Sequence, residues 1–336
     1  MLRKKQRKSK SIRVAAMVLA VLLAAAMTAC GAKQEDDDKL HVVAAVFPIY
    51  DWTREIIGEN MQDVELTLLV NNGTDLHSYQ PSAADLINIS TCDVFLYVGG
   101  TSDSWVKDAL KNVTNPDMQA INLIELLGND AVEEELVAGM QHSHEEEEHG
   151  EEHTHESKEY DEHVWLSLNN AVFFVNHISK VLETADAGNA ENYRSNSAAY
   201  IDKLEALEEQ YRNTIEQAET DTLLFCDRFP FRYLTEDYGL KYYAAFPGCS
   251  AETEASFATI AFLAGKLEEL QLPAVITIEG SDKKIAETVI QNTAAKNQQI
   301  VSLDSMQAVS RKDIDAGVTY LSVMEKNLSV LELVLE

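Results

Sequence analysis

Between residues 141 and 165 the chain concentrates side chains able to hold a metal ion. His142, His144, Glu145 to Glu148, His149, Glu151, Glu152, His153 and His155 follow one another almost without interruption, and five of the nine histidines lie between His142 and His155. Neutral imidazole nitrogens and carboxylate oxygens are the usual donors to zinc and related divalent ions. A tract this hydrophilic has nothing with which to build a core, so it reads as a mobile loop. Two readings compete, a solvated acidic linker and a metal collector, and the alternation of His with Glu favours the collector. His163 is set differently, in Asp161-Glu162-His163-Val164-Trp165-Leu166. A polar ring beside Val164, Trp165 and Leu166 belongs to a structured, partly buried place, where it needs a partner.

The whole chain narrows the classes. It has 336 residues, 46% of them apolar, enough for one to three domains with real cores. Its net charge is −29, from 27 basic and 56 acidic residues. That argues against nucleic acid as a partner and suits solubility and the attraction of cations. Basic residues crowd the start: Arg3, Lys4, Lys5, Arg7, Lys8, Lys10 and Arg13. An apolar run over residues 14–27 follows, too short for a comfortable membrane span of about 20 residues, and small residues precede Cys30. This is the order of a secretory signal, and Ala29-Cys30-Gly31 resembles a bacterial lipoprotein cleavage site. We therefore expect a signal peptide over 1–29, lipid on Cys30, a polar tether over 30–39, and an extracytoplasmic protein anchored to the cell membrane. Cys92, Cys226 and Cys249 remain. They allow one disulfide and one thiol, or three thiols.

The elements that must carry the chemistry alternate. In the first lobe, strands are expected over 41–47, 64–70, 93–98 and 118–123, with helices over 50–57 and 82–89. Ser82 is the N-cap of the second helix, with Asp85 three residues on. Over 192–218, Tyr193, Ser197, Tyr200, Ile201, Leu204, Leu207, Tyr211 and Ile215 recur at spacings of three and four. That is one apolar stripe on a long helix, read as a rigid rod between two lobes. In the second lobe, strands are expected over 222–226, 241–246, 274–279 and 299–303, with helices over 257–270 and 283–295. The fold class is α/β, with two lobes of mainly parallel sheet joined by the long helix. The divisions are an N-terminal lobe over 40–190, with its His/Glu-rich loop over 141–160, a linking helix over 191–220, and a C-terminal lobe over 221–336. Ligands of open parallel sheets bind beyond the carboxyl ends of strands. That rule singles out His77, Asp227, Arg228, Glu279 and Asp304.

At this point the motifs form a pattern. Gly73-Thr74-Asp75-Leu76-His77-Ser78-Tyr79-Gln80-Pro81-Ser82 resembles the first metal-ligand loop of the zinc/manganese substrate-binding lipoproteins of metal ABC importers. Asp161 to Leu166 resembles the second ligand loop, with the His-rich tract upstream as in the zinc-binding type. Val98-Gly99-Gly100 with Trp105, Asn192-Tyr193 with Tyr200 and Leu204, and Tyr238-Gly239-Leu240 fit as well. The likeness runs over nearly the whole chain after the signal segment.

The resemblance implies His77, His163 and Asp304 as metal ligands, zinc ahead of manganese as the ion, an ABC permease as partner, and a monomer. It also exposes a departure. The family's third ligand falls five residues before the Tyr of Phe231-Arg232-Tyr233-Leu234, and there this chain has Arg228. Arginine stays protonated and cannot ligate a cation. The third donor is then Asp227, Cys226, Glu279 or a water, and Arg228 is free to fork onto a carboxylate such as Glu279 or Glu254. A secreted zinc hydrolase is the rival from another class, since three ligands and a water also describe catalytic zinc. Against it, the chain has no His-Glu-x-x-His: His149 to His153 has Gly150 in the Glu position. A passive storage lipoprotein or an adhesin is the third reading.

Overall fold

The computed structural model describes residues 39–140, 159–250 and 254–336. The signal segment, the lipidation cysteine, nearly all of the tether and the His/Glu-rich tract lie outside the described residues.

Eight strands form two four-stranded sheets, each wholly parallel. The first comprises β1 (Leu40–Ala44), β2 (Val64–Leu68), β3 (Val94–Tyr97) and β4 (Gln119–Asn122) in the order β2-β1-β3-β4. The second comprises β5 (Thr222–Phe229), β6 (Lys241–Pro247), β7 (Ala274–Ile278) and β8 (Gln299–Leu303) in the order β6-β5-β7-β8. A parallel sheet is covered on both faces, so its central strands carry apolar or neutral residues without alternation. All five residues of β7, Ala-Val-Ile-Thr-Ile, are buried.

The helices follow from local signals. The first strand, expected to reach residue 47, stops at Ala44, and α1 occupies Phe47–Ile57. Pro48 explains the difference. It lacks an N–H for a strand ladder, and its fixed φ suits the first turn of a helix. Helix α2 (Ala83–Thr91) starts where expected: Ser82 Oγ accepts from Asp85 N, and Asp85 Oδ2 accepts from Ser82 N. Helix α3 (Leu168–Ala185) is not anticipated by the sequence pattern. Helix α4 (Ala190–Glu216) is the long one, 27 residues, or about 40 Å at 1.5 Å per residue. Its buried positions are Tyr193, Ser197, Tyr200, Leu204, Leu207 and Tyr211, the stripe read from the sequence. Then come α5 (Arg232–Tyr238), α6 (Phe257–Glu269), α7 (Lys284–Gln291), which ends before residue 295, and α8 (Tyr320–Leu335), a second unanticipated helix.

One contiguous hydrophobic cluster takes in residues flanking both sheets, among them Val42, Trp52, Trp165, Tyr211, Phe225 and Tyr320. Buried hydrogen bonds stitch the same region. Tyr320 N donates to Asp51 Oδ2 (2.8 Å), Tyr320 Oη to Trp165 O (2.7 Å), Trp165 Nε1 to Ser305 O (2.9 Å) and Tyr211 Oη to Met324 O (2.6 Å). Truncating a buried aromatic of this kind costs about 3–5 kcal/mol. A wide opening that exposed Trp165 and Tyr320 would forfeit contributions of that size.

Candidate metal centre

His77 sits in a single 3-10 turn, Leu76–Ser78, after β2. Asp75 caps the turn: its Oδ1 accepts from His77 N at 3.0 Å. Leu76 is buried and anchors the turn to the core. His163 immediately precedes a second 3-10 turn, Val164–Leu166, whose three side chains are wholly buried. Asp161 Oδ1 holds His163 twice, accepting from its backbone N (2.8 Å) and from ring Nδ1 (2.9 Å). The apolar run after His163 therefore fixes the backbone, and Asp161 fixes the ring.

These two turns bring His77 Nε2 to 3.2 Å from His163 Nε2. On the other side of each ring, Nδ1 is already engaged. His77 Nδ1 lies 2.7 Å from Ser102 Oγ and 3.4 Å from Glu162 Oε2. With protons on both Nδ1 atoms, two lone pairs face each other. That contact is repulsive unless a proton or a cation lies between the rings. Tetrahedral zinc with Zn–N near 2.05 Å would set two imidazole nitrogens roughly 3.3 Å apart. Carboxylates behind ligating histidines are the usual orienting partners in such sites.

Cys249 completes the group. Its Sγ and one nitrogen of each of His77 and His163 all lie within 4.8 Å of one another. The thiol comes from the loop after β6, where Cys249 N donates to Glu134 Oε1 at 3.1 Å. Gly248 makes the approach possible: a Cβ there would lie 2.9 Å from Phe229 O and 3.0 Å from His163 Cε1. Gly100 serves the opposite wall. It has φ +79°, and a Cβ would stand 2.5 Å from Glu162 Oε1, which accepts from Ser102 N at 2.7 Å.

The charges around the group favour a cation. Burial raises the Glu162 carboxyl, but its bonds with His77 and Ser102 outweigh that and hold it below the usual range. Glu162 Oε2 is buried and faces His77 Nδ1 at 3.4 Å, which puts a negative charge beside that ring. Burial alone would lower the pKa of His163, but Asp161 and then Glu162 push it above the ordinary value. Burial, then the charges of Glu134, Asp161 and Glu162, push the Cys249 thiol well up. It is protonated until an ion displaces the proton.

The other sequence-derived candidates are placed elsewhere. Glu279 and Asp304 stand outside the His–His–Cys group. The oxygens of Glu279 accept from Ser305 N (2.7 Å), Ser305 Oγ (2.6 Å) and Gln307 N (3.2 Å), while Asp304 Oδ1 accepts from Met306 N (2.8 Å). Together they shape the turn at Met306, whose φ is +61°. Burial and the neighbouring Asp304 push the Glu279 carboxyl up to about 7. Cys226 and Asp227 line a cavity of about 450 Å3 with Asp75, Ser78, Arg228, Ser250 and Glu279. Cys226 is buried in the second sheet's own core. The three cysteines of the described residues are free thiols. The carboxylate that Arg228 meets is that of Asp75, with Nη2 2.6 Å from Oδ2. The residue that sequence reasoning missed is Cys249. The carboxyl-end rule finds it once it is applied to β6, as to the other strands of that sheet.

Two parallel α/β sheets, a long helix between them in sequence, and imidazole and thiol donors gathered from separate loops define the class: a metal substrate-binding protein. Comparison with known proteins agrees. The chain matches the ZnuA family, zinc-uptake complex component A, periplasmic, over residues 42–333, and it belongs to that family. It is 31% identical over 319 residues to the high-affinity zinc uptake system protein ZnuA of Bacillus subtilis, covering 95% of each chain. It is 31% identical over 320 residues to the zinc-binding lipoprotein AdcA of Streptococcus pneumoniae, covering 94% of this chain but 60% of that protein's length. The crystal structure of the Zn(II)-bound ZnuA-like domain of Streptococcus pneumoniae AdcA superposes with a TM-score of 0.69 at 28% identity, covering 88% of this chain and 99% of that one.

Proposed function

We propose that this protein captures zinc outside the cytoplasmic membrane and delivers it to the permease of an ABC importer, held at the membrane by lipid on Cys30. The observation that carries the reading is the 3.2 Å approach of His77 Nε2 to His163 Nε2. With each Nδ1 engaged from behind, the two Nε2 atoms face one another and share either a proton or a cation. Cys249 is the third donor in this proposal, and a soft thiolate favours zinc over manganese. Glu279 and Asp304, expected as ligands on sequence grounds, brace the turn at Met306 in this proposal. The tract over 141–156 is, in this proposal, an auxiliary collector whose negative charge concentrates cations.

Zinc competition titration against a chromogenic chelator tests the reading. His77→Ala and His163→Ala should each lose tight binding while keeping the wild-type fold by circular dichroism. Wild-type affinity in either variant sinks the assignment.

A further inference from the structure

The arginine that stands where a ligand was expected has a different task. Arg228 lies near the end of β5, where the pairing with β6 shifts register between Phe225 and Arg228. An irregularity of this kind bends a strand and re-aims its side chains. Here it sends the guanidinium across to the first half of the chain, where Nη2 meets Asp75 Oδ2 at 2.6 Å. The two residues are 153 positions apart, and both side chains are largely buried, 19% and 23% exposed.

Asp75 divides its carboxylate between two jobs. Oδ2 takes the guanidinium, and Oδ1 accepts from the backbone N of His77. The guanidinium therefore acts on the metal-facing ring through one shared carboxylate. The same loop is tied to the second half once more, at its other end. Arg311 N donates to Asn71 O at 2.7 Å, and Asn72 forms an isolated antiparallel bridge with Ser310. The His77 loop is thus pinned at both ends by the half of the chain that also supplies Cys249.

We propose that Arg228 and Asp75 form a latch that positions His77, and that this latch sets how tightly the centre holds its ion. The proposal rests on the reading of His77 as a ligand. Arg228 is a positioning residue, not a donor. It draws the His77 turn toward the loops of the second sheet, so His77 and Cys249 can meet one ion. Breaking the pair leaves His77 free to drift from His163, and release follows. A charge-assisted bond is strong enough to hold a short turn, yet partial exposure lets a binding partner open it.

The test is a double-mutant cycle on the full chain, using zinc itself as probe. Arg228→Ala and Asp75→Asn each break the pair, and the amide oxygen that Asp75→Asn introduces can still cap the turn. Loss of an orienting partner behind a metal ligand typically costs about 10–100-fold in affinity. Each variant should show a loss of that size, the double variant should lose no more than either single one, and Arg228→Lys should recover much of it. Cobalt-loaded Arg228→Ala should show altered visible absorption bands, a change that a merely structural role would not produce. Wild-type zinc affinity in Arg228→Ala, or losses that add in the double variant, would overturn the latch. His77→Ala run beside them separates the two ideas: if it binds zinc like the wild type, the ligand assignment fails, whatever the latch variants do.

Discussion

Replacing Cys249 by serine is the sharpest probe of the centre. The change removes one soft anionic donor and leaves a hydroxyl of nearly the same shape, so the loop around Gly248 keeps its fit against His163. The geometry sets the stake. Zinc with Zn–N near 2.05 Å and Zn–S near 2.3 Å would hold sulfur and nitrogen roughly 3.6 Å apart, whereas the three donors lie within 4.8 Å of one another without an ion. The thiol therefore needs to advance by no more than about 1 Å, a distance within reach of a loop. Four-ligand zinc sites bind with apparent free energies of about 10–16 kcal/mol, or about 3 kcal/mol per ligand. Losing one of them should weaken zinc binding about 100-fold, since 1.36 kcal/mol is a factor of ten. Competition titration reads the affinity. X-ray absorption at the zinc edge reads the ligand directly, with a sulfur scatterer at about 2.3 Å in the wild type and none in Cys249→Ser. A wild-type spectrum with nitrogen and oxygen neighbours alone would refute the thiolate, as would unchanged affinity in the variant.

Two further outcomes follow from other parts of the chain. Deleting residues 141–156 should abolish the weak, multiple-equivalent phase of zinc binding in isothermal titration and leave one tight equivalent; loss of the tight equivalent would show that the tract supplies ligands to the centre. Asp103 is buried and accepts from Val98 N and Gly99 N at 3.0 Å each, yet burial pushes its carboxyl up to about 7 from 3.8. Its folded pKa is the higher one, so the stability it contributes is full below the unfolded value and is lost as pH rises toward 7. In Asp103→Asn, the unfolding free energy from urea titrations should fall less steeply across that window than in the wild type, by up to about 1 kcal/mol per pH unit. Parallel slopes in the two proteins would contradict this account.

Much of the architecture was legible in the sequence because it rests on short-range causes. Strand runs separated by helical segments imply parallel crossovers, and all eight strands are found, with ends displaced where local chemistry intervenes, as at Pro48. The stripe from Tyr193 to Tyr211 foretold α4, and Ser82 with Asp85 foretold the start of α2. The two unanticipated helices, α3 and α8, lack so plain a pattern; their buried faces are defined by what packs against them. At the centre, sequence alone singled out His77 and His163 as unusual, one just past a strand and one set in an apolar run. It also excluded Arg228 as a donor, because a guanidinium has no lone pair to offer.

Which residues meet is another matter, decided by the tertiary structure. Cys249 reaches the two imidazoles only because the loop after β6 passes over His163, and only a glycine at 248 lets it come so close. Arg228 finds Asp75 across 153 residues of chain, through a slip in strand register that no local pattern announces. Glu279, at the carboxyl end of β7, had the type and position of a ligand. In the fold its oxygens accept from the backbone of Ser305 and Gln307, partners that the sequence does not announce. Residue type determines what a side chain is able to do. Its neighbours, drawn from distant parts of the chain, decide which of those abilities is left for function.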